Sequence, residues 1–135
     1  MTAVPPNPAT PAGQSIPRKV LLVEDHADTA TVITLLLKKF GHTVSAAGTV
    51  AAGLAAFDAG EFDVVLSDLG LPDGSGIDFV ARLRERSAVP AVALTGYGME
   101  EDVKRCLDAG FNAHLTKPVN FAELNAIIGR LTASA

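Results

Sequence analysis

Three carboxylates, one hydroxyl and one ammonium stand at a repeated kind of place in this chain. Glu24 and Asp25 follow the run Lys19 to Val23, Asp68 follows Asp63 to Ser67, Thr95 follows Ala91 to Leu94, and Lys117 with Pro118 follows Asn112 to Leu115. Taken singly, each has an ordinary explanation. Asp25 would cap a helix, Asp68 and Thr95 would sit in turns, and Lys117 would lay its stem over a sheet end. Those explanations fail jointly, because acids converging on one crevice raise each other's pKa unless a cation or the lysine compensates them. A hard ion such as magnesium suits such a set, since it takes one or two carboxylates, keeps several waters and shares its remaining positions with phosphate oxygens. Beside that ion a carboxylate becomes a candidate nucleophile toward phosphorus, forming an acyl phosphate. Thr95 and Lys117 would then stabilise the equatorial oxygens, one by hydrogen bond and the other by charge.

For these residues to meet, the runs before them must be neighbouring strands. Lys19 to Val23, His42 to Ala46, Asp63 to Ser67, Ala91 to Leu94 and Asn112 to Leu115 are the strand candidates; all but the second read as apolar runs, as strands covered on both faces do. Between and after them lie stripes stepping by three or four: Ala30, Ile33, Leu37 and Phe40; Val50, Leu54 and Phe57; Ile77, Val80 and Leu83; Met99, Val103 and Cys106; Phe121, Leu124, Ile128 and Leu131. Asn120 and Glu123 are spaced as a helix-start pair. Gly41, Gly60 and Gly110 fall where helices should end, in the left-handed conformation that suits glycine. Five alternating strands and helices with right-handed crossovers predict an α/β, doubly wound, five-stranded parallel sheet in the order 2-1-3-4-5. In that order the ligand crevice lies between strands 1 and 3, at their carboxyl ends.

The 135 residues, 48% hydrophobic and 19% charged, suit one domain with a real core. Prolines at 5, 6, 8 and 11 mark residues 1–16 as a disordered Pro-rich tail or linker, leaving 17–135 as the folded domain. A formal charge of −4 gives no basic footprint for nucleic acid and none for an anionic membrane surface. The single cysteine, Cys106, excludes internal disulfides and multi-cysteine zinc sites, and reads as a core side chain in a reducing compartment. No apolar stretch is long enough to span a membrane and no secretory leader is legible, so a cytoplasmic location without membrane insertion is expected.

The ordered set Glu24-Asp25, Ser67-Asp68-Leu69-Gly70-Leu71-Pro72-Asp73-Gly74-Ser75-Gly76, Leu94-Thr95-Gly96 and Lys117-Pro118 resembles the receiver domain of two-component response regulators, over Arg18 to about Leu131. The resemblance implies a flavodoxin-like three-layer sandwich. It implies that Asp68 accepts a phosphoryl group from a phosphohistidine of a sensor histidine kinase or a histidine phosphotransfer protein. Magnesium, or manganese, would sit on Asp25, Asp68 and the Gly70 carbonyl, with Glu24 acting mainly through water. Lys117–Pro118 would be cis, and Gly76 would open the third helix. The fourth helix, fifth strand and fifth helix would form the signalling face, presenting Glu100, Lys104, Arg105 and Asp108. Such a module is no enzyme beyond its own phosphoryl transfer and slow aspartyl-phosphate hydrolysis.

Three positions depart from the family pattern. His114 stands three residues before the lysine, where tyrosine or phenylalanine is usual, and is either a half-buried filler or the switch residue. Gly70 offers no side chain to position water beside an acyl phosphate, and Tyr97 is placed to cover the site in part. Gly96 and Gly98 permit a loop that follows Thr95, while Glu100, Glu101 and Asp102 suit the positive end of a helix. Two rivals remain in view. An aspartyl-phosphate phosphatase usually needs an acid two residues after its nucleophile, where Gly70 stands. A phosphorylation-independent interaction module would have no need for Glu24, Asp25, Asp68, Thr95 and Lys117 together. No output domain is expected after Ala135, and the Pro-rich start resembles a tether of the kind found in hybrid histidine kinases.

Overall fold

Alternation along each strand decides which side chains face which layer of helices. The structure, a computed structural model, describes residues 16–96 and 100–132, the side chains of 100–102 excepted. Its elements run β1 (Lys19–Val23), α1 (Ala27–Lys39), β2 (Thr43–Ala47), α2 (Val50–Ala59), β3 (Val64–Asp68), β4 (Gly70–Leu71), β5 (Gly74–Ser75), α3 (Gly76–Arg84), β6 (Ala91–Thr95), α4 (Glu100–Ala109), β7 (Ala113–Thr116) and α5 (Phe121–Thr132). The main sheet has five parallel strands in the order β2-β1-β3-β6-β7, the doubly wound order expected once the small β4–β5 ribbon is set aside.

Val20, Leu22, Val64, Leu66, Val92, Leu94 and Leu115 pack on Ile33 and Leu37 of α1 and on Leu124 and Ile128 of α5. Leu21, Val23, Val65, Ala91 and Ala93 turn the other way, onto Val50 and Leu54 of α2, Phe79, Val80 and Leu83 of α3, and Cys106 of α4. Helices on both faces of the sheet give three layers. Each large aliphatic side chain so enclosed contributes about 1.5–3 kcal/mol relative to exposure. Cys106 is fully buried, as its place in the fourth stripe implies. The edge strand β2 is largely exposed, which accounts for its mixed composition.

Several boundaries sit one residue later than the apolar runs suggest. β2, β3 and β7 start and end one position further on, and β6 extends to Thr95. Asp68 and Thr95 are therefore the last residues of ladder strands, held by sheet pairing rather than by loops. Gly41 and Gly110 close their helices with φ of +93° and +129°, as expected. Gly60 does not: it ends α2 in an extended conformation, φ −139° and ψ −171°, with its N–H donating to the Phe57 carbonyl. Gly76 opens α3, preceded by a reciprocal Ser75–Asp78 capping box. Asn120 caps α5, its side-chain oxygen accepting from Glu123 N–H at 2.9 Å. Residues 1–15, Tyr97, Gly98 and Met99 lie outside the described residues, so the tail and the Tyr97 cover remain expectations.

Candidate phosphoryl and metal site

β1 is fully buried from Val20 to Val23, and the chain continues the sheet direction for one more residue, since Glu24 N–H donates to Ala47 O at 2.9 Å. Glu24 thus enters the crevice with a side chain wholly removed from water. Asp25 follows, more exposed. His26 then occupies the N-cap of α1, and the cap is made without a side-chain hydrogen bond. Asp25 is therefore not the helix cap, which leaves its carboxylate available to the crevice.

On the neighbouring strand, Asp68 is 8% exposed and its Oδ1 accepts from the Leu69 N–H at 2.9 Å. β6 brings Thr95 to the same edge. Lys117 N–H donates to Thr95 O at 2.7 Å, extending the pairing beyond the end of β7 and joining the hydroxyl and ammonium residues through backbone. The Lys117–Pro118 peptide is cis, as the resemblance implies. Lys117 Nζ lies 2.7 Å from Glu24 Oε1 and 3.3 Å from Asp68 Oδ1.

The electrostatics follow from this geometry. Burial and the adjacent Glu24 carboxylate push Asp68 above the ordinary aspartate range, against the pull of Lys117. Burial also works against an ionised Glu24, but its hydrogen bonds from Lys117 and His26 outweigh this and hold its carboxyl below the usual value. For Lys117, burial opposes the charge while Glu24 and Asp68 sustain it, and the result lies above the ordinary lysine value.

Side-chain atoms of Glu24, Asp25, His26 and Asp68 come within 4.8 Å of one another. That is within about half an ångström of the widest separation of two donors on one divalent cation, whose bonds to oxygen or nitrogen run about 2.0–2.2 Å. Among the described residues the buried Thr95 hydroxyl has no hydrogen-bond partner, and such an orphan at a site edge calls for a ligand oxygen. The donor set and the orphan together fit magnesium. Gly70 stands at the start of β4, opposite Ser75, and brings only a backbone carbonyl. His26 was not legible as a site residue; its imidazole Nδ1 lies 3.2 Å from both Glu24 Oε2 and Asp25 Oδ1.

The loop after the acceptor is tied down on two sides. Gly76 N–H donates to Leu69 O at 2.8 Å. A Cβ on Gly76 would overlap the Asp68 carbonyl oxygen and lie 3.0 Å from Leu69 Cα, so only glycine permits this approach. Asp73 reaches across to α2, accepting from Val50 N–H at 2.7 Å and Ala51 N–H at 3.0 Å, and those bonds hold its carboxyl below the usual range. Beyond the crevice, His114 is half-buried on β7 opposite Ala93, and Lys104, Arg105 and Asp108 are exposed on α4.

Comparison with known proteins agrees with this architecture. The family model described as response regulator receiver domain matches residues 20–129. The KDP operon transcriptional regulatory protein KdpE of Escherichia coli is 39% identical over 107 residues, covering 79% of this chain and 48% of that protein. The sensory transduction protein RegX3 of Mycobacterium tuberculosis is 39% identical over 109 residues, covering 81% and 48%. The chain thus spans about half the length of these regulators. Among solved structures, the receiver domain of the Pseudomonas aeruginosa sensor histidine kinase PA1611, with magnesium coordinated in its active site cleft, aligns with a TM-score of 0.81 at 30% identity, covering 87% of this chain and 99% of that one. A Saccharomyces cerevisiae response regulator receiver, co-crystallised with a histidine phosphotransfer signalling protein, aligns with a TM-score of 0.80 at 26% identity, covering 85% and 88%. With the family model spanning nearly the whole sheet and its helices, this chain belongs to the response regulator receiver domains of two-component signal transduction.

Proposed function

We propose that this receiver takes a phosphoryl group on Asp68 from a phosphohistidine of a sensor histidine kinase or a histidine phosphotransfer protein, with magnesium or manganese on Glu24, Asp25, Asp68 and the Gly70 carbonyl. The observation that carries the reading is a buried carboxylate with Lys117 Nζ at 3.3 Å and two further acids beside it. In the transfer, an Asp68 oxygen forms the new O–P bond as the donor's N–P bond breaks. The bonding pair stays on the leaving imidazole, which then takes a proton. When bound, the cation offsets the charge of the acids and of the phosphoryl oxygens. Lys117 turns from Asp68 to an equatorial oxygen, and the unpartnered Thr95 hydroxyl donates to another. That new bond draws Thr95 toward Asp68 and transmits the change along β6 to α4, β7 and α5.

A groove of about 510 Å³, lined by Asp28, Val32, Ile33, Gly96, Lys117 and Pro118, opens beside the lysine. With Val32 exposed on α1, it offers the donor an apolar approach beside Lys117. Residues 17–135 form the receiver on this reading, and 1–16 a linker. It works in the cytoplasm and acts on no separate substrate; among the described residues, no helix is long and apolar enough to cross a membrane. Incubation with a small acyl phosphate donor and magnesium, followed by intact-mass measurement, tests the reading. The parent chain gains one phosphoryl group and Asp68→Asn gains none; equal labelling of both refutes it.

A further inference from the structure

We propose that His26 is a nitrogen ligand of the divalent-cation site, so that this receiver binds nitrogen-preferring ions such as nickel, cobalt or zinc more tightly, relative to magnesium, than its carboxylates alone would. The inference rests on the reading that the acidic crevice holds a divalent cation. It adds a ligand of different chemistry to that crevice.

Three observations converge. His26 Nδ1 is 3.2 Å from Glu24 Oε2 and 3.2 Å from Asp25 Oδ1, close to the roughly 3 Å between adjacent donor atoms around one ion with bonds near 2.1 Å. All four side chains, Asp68 included, bring a donor atom within 4.8 Å of the others, against about 4.2 Å between opposite donors of one coordination shell, so a shift of about half an ångström seats them around one ion. The imidazole also has no task in the helix it begins: His26 is the N-cap of α1, yet its side chain makes no capping bond and turns back toward the acids. With 70% of the side chain exposed, the ring can shift by a fraction of an ångström to meet an ion without disturbing the core.

Magnesium gains little from an imidazole, whereas cobalt, nickel and zinc gain much, because imidazole nitrogen suits these metals and carboxylate or water oxygen suits magnesium. The competing view is that His26 is only a counter-ion to Glu24 and Asp25. The two views differ in what removal does. A ligand's loss weakens nickel relative to magnesium, while a counter-ion's loss moves both affinities together.

The experiment is calorimetric titration of the full chain and of His26→Ala with nickel and, separately, with magnesium. The expected result is a fall of about tenfold or more in the ratio of nickel to magnesium affinity. An unchanged ratio overturns the proposal. Pulsed EPR with manganese in the site gives a second readout. Nitrogen modulation is expected in the parent and absent in His26→Ala; its absence from the parent overturns the proposal. His42 is buried and His114 lies on β7, so a nitrogen signal lost in His26→Ala belongs to His26. Phosphoryl uptake at Asp68 in magnesium is measured separately. Its failure would sink the receiver mechanism while leaving the metal ratio to stand or fall alone.

Discussion

Replacing Lys117 by methionine keeps the length of the stem and removes the charge that two buried acids share. At an effective dielectric of about 20, unit charges 2.7 and 3.3 Å apart attract by roughly 6 and 5 kcal/mol. Drawing the ammonium out of water cancels much of this. Breaking a buried pair typically costs 3–5 kcal/mol, and the 23% exposure of the lysine places the loss at or below the low end, about 2–3 kcal/mol. For a domain of this size, roughly 3–5 °C of Tm accompanies each kcal/mol, so Lys117→Met should melt about 10 °C below the parent in chelator. Magnesium then supplies the missing positive charge. At a hundredfold excess over its dissociation constant it adds about 2.7 kcal/mol to the parent and more to the variant, closing about half of the gap. Scanning calorimetry with and without magnesium reads both numbers. A drop smaller than about 2 °C, or a gap that magnesium leaves untouched, would show that Lys117 is not compensating Glu24 and Asp68.

Gly76→Ala pushes a Cβ into the Asp68 carbonyl, 3.0 Å from Leu69 Cα and 3.1 Å from the Asp68 carbonyl carbon, all backbone that must move. The cost should be about 1–3 kcal/mol in a urea melt, with phosphoryl uptake slowed at least about tenfold because the acceptor moves; an unchanged uptake rate counts against the placement. His42 tests the pH dependence. Burial holds its imidazole below the ordinary value of 6.5, and its Nδ1 accepts the Arg18 N–H at 3.0 Å, a bond that protonation removes. As pH falls through about 6.5 the unfolded chain takes up that proton and the folded chain does not, so stability declines from there down to the lower folded pKa. Urea midpoints at about pH 7.5 and about pH 5.5 should diverge less in His42→Gln than in the parent; equal divergence would mean that other groups set the slope.

The acids, Thr95 and Lys117 were legible because apolar runs mark strands, and handedness then sends all their carboxyl ends to one edge. The sheet order followed from the same rule. What escaped has physical causes. Asp25 reads as the helix cap, and nothing in the spacing says that His26 takes that place with its ring turned back toward Glu24. The β4–β5 ribbon has two residues per strand, too few for any period to show. Asp73 looks like a turn aspartate, yet it caps a helix whose first residue, Val50, lies 23 positions earlier in the chain. Gly60 resembles Gly41 in sequence, but its helix ends without the left-handed turn.

Asp73 has a consequence for how a modification at Asp68 can be felt elsewhere. Its two bonds to the start of α2, with the Gly76–Leu69 contact, anchor the acceptor's own loop to the half of the molecule that carries β1 and α2. On the other side of Asp68 stands a threonine whose hydroxyl has no partner among the described residues. The hydrogen bonds that brace the acceptor's loop thus lie on the α2 side, and the polar group left open to a new bond lies on the β6 side. If Asp68 takes the phosphoryl group as proposed, the displacement is expected to run along β6, with α2 held by the Asp73 bonds.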